Sequence, residues 1–81
     1  MKIGIISGGF DPIHSGHLSY IKSAKNNCDF LFVGVNSDNW LSKKKGNPFM
    51  PFLERIKIIN ALKDVDLAID FDDNDGSAKK L

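Results

Sequence analysis

The chain holds very little that would lock it covalently or anchor it in a bilayer. Its one cysteine, Cys28, cannot form an internal disulfide, and such sparse usage fits a reducing compartment. No apolar stretch approaches the roughly 20 residues needed to cross a membrane. The N-terminal apolar run is too short for a signal peptide and is interrupted by glycines. A cytoplasmic location with no membrane partner is therefore expected. Nor does one sign of charge dominate: 11 Lys and Arg stand against 10 Asp and Glu, for a formal net charge of +1. That balance excludes a broad basic field, so no nucleic-acid partner is expected and any phosphate binding has to be local. The run Asp70, Asp72, Asp73 and Asp75 lacks the regular spacing and terminal glutamate of a calcium loop, and reads as a solvated loop. At 81 residues the chain makes one small domain, near the size where a single core is barely sufficient.

What the chain does have is concentrated in Gly8-Gly9-Phe10-Asp11-Pro12-Ile13-His14-Ser15-Gly16-His17. Ahead of this stretch, Ile3, Gly4, Ile5 and Ile6 predict a short strand of the kind buried on both faces of a parallel sheet. After it, Leu18, Ile21 and Ala24 recur at helical spacing, with Ser15 or Gly16 placed to open the helix. A helix starting there turns its free backbone N–H groups and positive dipole end toward the Gly8-Gly9 turn, which suits an anion. His14 and His17 sit at i and i+3, on one side of the first turn, so both can reach that anion. Gly16 between them keeps a side chain out of the way. A capping or partly buried histidine is the ordinary explanation for one such residue. Two of them flanking a glycine after Gly-Gly-Phe-Asp favour phosphate binding.

The remainder predicts a β-α-β-α-β order. Phe30 to Val35 forms a second strand, ended by the polar loop Asn36-Ser37-Asp38. From there to Pro51 the chain reads as an irregular connection rich in lysine, glycine and proline, and so long a connection is usually functional. A second helix is expected from Phe52 to Leu62, with Leu53, Ile56, Ile59 and Leu62 as its apolar stripe and Pro51 suited to its start. Leu67, Ala68 and Ile69, extended to Phe71, give a third strand. Right-handed crossovers then stack an α/β, Rossmann-like parallel sheet in the order 3-2-1.

Gly8 to His17, with its H-x-G-H spacing, resembles the signature of the cytidylyltransferase-like nucleotidyltransferase superfamily. Its members include glycerol-3-phosphate cytidylyltransferase, the heptose-phosphate adenylyltransferases and phosphopantetheine adenylyltransferase. The likeness continues through Val35-Asn36-Ser37-Asp38, Lys43 to Lys45, Glu54-Arg55 and Ala61 to Asp66. It implies transfer of a nucleoside monophosphate, CMP favoured over AMP, from CTP or ATP to a small phosphorylated acceptor, with release of pyrophosphate. By the same resemblance His14 and His17 would contact the triphosphate and stabilise the transition state. The main chain of Gly8, Gly9 and Phe10, with Gly16, would cradle the nucleotide. Asp11 would fix the loop or contact the acceptor, or else serve only as an Asx-type turn former. Lys44 would be catalytic, with Lys45 beside it at the acceptor; a solvated charge run is the other reading of these lysines. Gly46 stands where some relatives carry another lysine. Arg55 would grip the acceptor phosphate, against the alternative of a surface helix charge. The resemblance also implies Mg2+, held mainly through the triphosphate.

Relatives of this kind carry further strands beyond the first one and a later Ser/Thr-rich motif, neither of which occurs before Leu81. Residues 1–81 are accordingly expected to be the N-terminal part of a nucleotidyltransferase domain, with Gly76 to Leu81 opening a third helix. The first strand would then be an open sheet edge able to pair with another chain, including a second copy. A noncatalytic phosphate-binding module, or a partial domain that needs a partner chain, is the reading from a different class.

Overall fold

Short β-branched runs alternating with amphipathic segments give a three-stranded parallel sheet in the computed structural model, which describes residues 1–71. Strand β1 (Ile3–Gly8) leads to helix α1 (Ser15–Asn26), β2 (Phe30–Val35), α2 (Asp38–Lys45), α3 (Phe52–Asn60) and β3 (Leu67–Asp70). The sheet order is β1-β2-β3, so β2 is central, as the expected 3-2-1 order requires. Ile5 is in register with Phe32, and Phe32 with Leu67. The expected turn at Gly76 to Leu81, and Asp72, Asp73 and Asp75, lie outside the described residues.

Both α1 and α3 pack on one face of the sheet, as two right-handed crossovers running the same way demand. Leu31, Val33 and Val35 from β2 are fully buried there with Ile21 of α1 and Ile59 of α3. At the opposite end from the glycine motif, Asp66 Oδ2 accepts from the Leu31 N–H at 2.7 Å and from Lys25 Nζ at 2.6 Å, tying the starts of β2 and β3 to α1. The Lys25 hydrogen bond, with that of Leu31, holds the Asp66 carboxyl below its ordinary range.

Three expectations need correction. The 36–51 connection is not irregular throughout, because α2 occupies half of it. Ser37 caps its start by accepting from the Trp40 N–H at 3.0 Å, and Gly46 ends it at φ 95°. The apolar stripe of α3 is also rotated at its start from the expected one. Ile56, Ile59 and Leu62 pack on the core as expected, but Leu53 is 75% exposed, and Phe52 and Arg55 take the inward positions in its place. Finally, β1 is covered on one face only. Ile3 and Ile5 are more than half exposed, and Leu67 and Ile69 share that open face, so among the described residues the side away from the helices is a bare apolar sheet.

Candidate functional site at the carboxyl ends of β1 and β2

In an open parallel sheet, ligands bind beyond the carboxyl ends of the strands, and the glycine motif leaves β1 at that end. The Gly8 carbonyl accepts from the Asn36 N–H at 3.0 Å, which holds the exits of β1 and β2 together. The chain then turns through Phe10 at φ 52°, driving its ring into the core at 3% exposure. A Cβ at Gly9 would lie 2.8 Å from Leu41 Cδ2 of α2, so a side chain there would have to displace the end of that leucine. The buried Phe10 ring meets His17 edge to face, 5.2 Å between centroids, and so backs that imidazole from below.

The two histidines close the end of α1 reciprocally. His14 is the N-cap, and its Nδ1 accepts from the Gly16 N–H at 3.0 Å, while His17 Nδ1 accepts from the His14 N–H at 3.1 Å. This is the geometry of a capping box, built from imidazoles instead of Ser and Glu. The rings stack at 3.9 Å between centroids. Because each Nδ1 accepts, the bonds assign the ring proton to Nε2 in both residues, and each presents one N–H donor beyond the cap. The expected anion site at free helix N–H groups is thereby altered. The Gly16 N–H is taken by the His14 ring and the His17 N–H by the His14 carbonyl at 2.9 Å, so two of the backbone donors expected to meet an anion are already engaged.

Capping and phosphate contact are therefore compatible, since they use different nitrogens. Gly16 has a direct part in this arrangement. A Cβ at position 16 would lie 2.8 Å from His14 Cε1 and 3.0 Å from its Nδ1. Gly16→Ala is expected to push the His14 ring off its cap, at a net stability cost under ~1 kcal/mol because alanine favours the helix. A thermal melt beside the wild-type chain checks it.

His17 is held below its ordinary pKa of 6.5 by burial and, secondly, by the charge of His14. A histidine depressed in the folded state binds its proton more readily when unfolded, so acid favours unfolding. Stability is expected to fall as the pH drops through about 6.5, and to level off once the folded pKa is passed. Thermal melts between pH 5 and 8 read this slope, which should shrink in His17→Gln.

The opposite wall is α2 and the residues after it. Asp11, with a side chain 1% exposed, accepts from the Phe49 and Met50 N–H groups at 2.7 Å each. Lys45 Nζ lies 3.0 Å from Asp11 Oδ2 and donates to the Asp11 carbonyl at 2.6 Å. Burial alone would raise the Asp11 pKa, but the Lys45 hydrogen bond, the two amides and the Lys45 charge together bring it below the usual value. Asp11 thus fixes the loop, and Lys45 is committed to it. Lys44 instead lies over the Trp40 ring at 5.3 Å. Lys43 to Lys45 all fall in the last turn of α2, where cations also complement the helix dipole. Between these walls is an open cavity of about 450 Å³ lined by Gly9, Phe10, Asp11, His14, His17, Trp40, Lys44 and Lys45 among others. Gly8 and Gly16 adjoin it.

Arg55 is not part of that lining. It is fully buried, and its guanidinium donates from Nε to Met50 O at 2.9 Å, from Nη1 to Gly9 O at 2.9 Å and Asn36 O at 2.6 Å, and from Nη2 to Asp38 Oδ1 at 2.7 Å. The expectation that it faces an acceptor, and the alternative of a surface charge, both give way to an internal clamp. It joins the glycine loop, the exit of β2, the start of α2 and the chain ahead of α3. The sequence held a signal for this that was missed: Arg55 lies three residues after Phe52 and four before Ile59, on the inward face of α3.

A three-stranded parallel sheet with a glycine loop at the carboxyl end of β1 and a pair of capping histidines opening α1 defines an α/β, Rossmann-like class of fold. The chain belongs to the cytidylyltransferase-like family, whose model matches residues 5–79. It is 40% identical over 76 residues to the bifunctional protein HldE of Caulobacter vibrioides, covering 91% of this chain and 16% of that one. To HldE of Hyphomonas neptunium it is 43% identical over 75 residues, covering 89% and 15%. Among solved structures, the lipopolysaccharide core biosynthesis protein from Thermoplasma volcanium superposes with a TM-score of 0.88 at 32% identity, covering 98% of this chain and 65% of that one. The chain thus spans about a sixth of the length of the curated relatives and about two thirds of the solved one.

Proposed function

We propose that the chain carries the phosphate-handling part of a nucleotidyltransferase. It would move CMP or AMP from CTP or ATP onto a small phosphorylated acceptor, releasing pyrophosphate. One observation carries this reading: the reciprocal cap uses both Nδ1 atoms and leaves both Nε2–H groups uncommitted to it, on imidazoles that line the same cavity as Lys44. In such a transfer an acceptor phosphate oxygen attacks the α-phosphorus, the bond to the bridging oxygen breaks, and pyrophosphate leaves with the electron pair. An acceptor phosphate is already anionic near neutral pH, so it has to be positioned more than deprotonated. Charge grows on the departing phosphate oxygens, where His14, His17 and Lys44 supply preorganised N–H donors.

The cavity offers imidazole and ammonium nitrogens, and its carboxylate, Asp11, is paired with Lys45. Among the described residues no cluster of three His, Cys, Asp or Glu is placed to hold a metal. These residues do not form a cage for a hard cation, and we propose that Mg2+ arrives on the triphosphate, keeping its waters. No helix of the described residues is long and apolar enough to cross a membrane.

The test is pyrophosphate release from CTP or ATP with magnesium over a panel of sugar and alcohol phosphates. Release that needs both nucleotide and acceptor supports the proposal. Nucleotide binding with no release under any acceptor supports the noncatalytic module instead.

A second reading, a partial domain completed by another copy of the chain, is favoured by the bare face carrying Ile3, Ile5, Leu67 and Ile69 beside the β1 edge. Sedimentation velocity is expected to show concentration-dependent assembly that Ile3→Lys/Ile5→Lys abolishes. A wild-type chain that stays monomeric at about 100 μM, well above the micromolar Kd of a modest interface, would reject it.

A further inference from the structure

Trp40, the only tryptophan, sits half-buried on α2 in the wall of the same cavity. Residues i and i+4 of a helix are neighbours, and Lys44 Nζ stands 5.3 Å from the centroid of its ring. The lysines of this turn have separate situations. Lys45 is bound to Asp11, and Lys43 is not among the residues lining the cavity. Among the described residues Lys44 forms no ion pair, so the Trp40 ring is what holds its ammonium in place. An exposed lysine is otherwise free to sample many rotamers, which costs entropy when it meets a ligand. A ring face restricts those rotamers while binding the cation weakly enough to surrender it to a phosphate anion.

We propose that Trp40 is a positioning residue for Lys44. Its ring parks the ammonium over the cavity, and the lysine transfers from ring to phosphate oxygen when a triphosphate enters opposite His14 and His17. This rests on the phosphate-binding reading of the site, and it adds a residue whose ring need not touch the ligand.

The probe is inorganic tripolyphosphate, which leaves tryptophan emission unobscured, titrated by calorimetry and by fluorescence. Wild-type emission is expected to change on binding as the ammonium leaves the ring, and that change is expected to vanish in Lys44→Met. Trp40→Leu is expected to weaken affinity about two- to five-fold, and Trp40→Phe to recover most of it by restoring a ring face. In a Lys44→Met background Trp40→Leu is expected to add nothing, a non-additivity that a purely packing role for Trp40 would not produce. Wild-type binding that Trp40→Leu leaves unchanged overturns the proposal and spares the reading of the site. So does a loss that Trp40→Phe fails to recover, or one that persists undiminished beside Lys44→Met. Absence of wild-type binding overturns both.

Discussion

Arg55→Met is expected to destabilise the domain by about 3–5 kcal/mol, enough to unfold most of a chain this small. Methionine fills a similar volume, so the loss is in hydrogen bonds and not in packing. The carbonyls of Gly9, Asn36 and Met50 would each lose the Arg55 donor in the interior. Each of these is a charge-assisted hydrogen bond, worth about 1.5–3 kcal/mol. Arg55→Lys is expected to be little better, since one ammonium cannot reproduce a planar fork aimed at four oxygens. Asp38→Asn is the informative control. Asp38 accepts from Arg55 through Oδ1 and from the Phe52 N–H through Oδ2, so Asn, with one acceptor oxygen for two donors and no charge beside a buried guanidinium, is expected to cost about 1–3 kcal/mol, less than losing the whole fork. Urea denaturation followed by circular dichroism measures all three. An Arg55→Met chain as stable as wild type, with weakened acceptor affinity alone, would restore the acceptor-facing role.

For His17 the expected loss is functional. If His17 has the proposed role, His17→Ala should cost at least ~2 kcal/mol of transition-state stabilisation, roughly 30-fold in kcat/KM, by removing an N–H donor to the developing charge. It also removes an acceptor for the His14 N–H, worth about 1 kcal/mol of helix stability. His17→Glu separates the two contributions. A glutamate at this third helical position completes an ordinary capping box, so the melting temperature is expected to hold or rise. Its carboxylate faces the cavity where phosphate oxygens would sit, so triphosphate binding is expected to disappear. A His17→Glu chain that still binds nucleotide would mean that this imidazole caps a helix and does nothing else.

The strands and the outer helices are legible in the sequence because burial leaves a periodic mark on them. Ile3 to Ile6 and Phe30 to Val35 are apolar runs, and Ser15 begins α1 where the spacing predicts. Helix α2 leaves a fainter mark: Leu41 is its buried residue, and apart from the half-buried Trp40 the rest are polar or charged, so no stripe announces it. Ser37 and Gly46 at its two ends were the available signal. Arg55 shows a different limit. Charge argues for a surface, and only its place between Phe52 and Ile59 on the inward face argues for burial. The histidines show a third. Their spacing points to one anion, but that Nδ1 is spent on the cap and Nε2 is left uncommitted to it follows from geometry alone. Asp11 by residue type allowed a turn, and the family resemblance added a loop tether or an acceptor contact; the positions of Phe49, Met50 and Lys45 around it make it a tether.

Isothermal calorimetry is the direct test of whether the capping histidine pair forms a working triphosphate site. The 81-residue chain is titrated with CTP and then ATP, each with magnesium, beside His14→Ala/His17→Ala. The expected result is saturable binding of one nucleotide by the wild-type chain that is lost in the double variant. Equal affinity in both chains, or binding of neither nucleotide by the wild type, would contradict it.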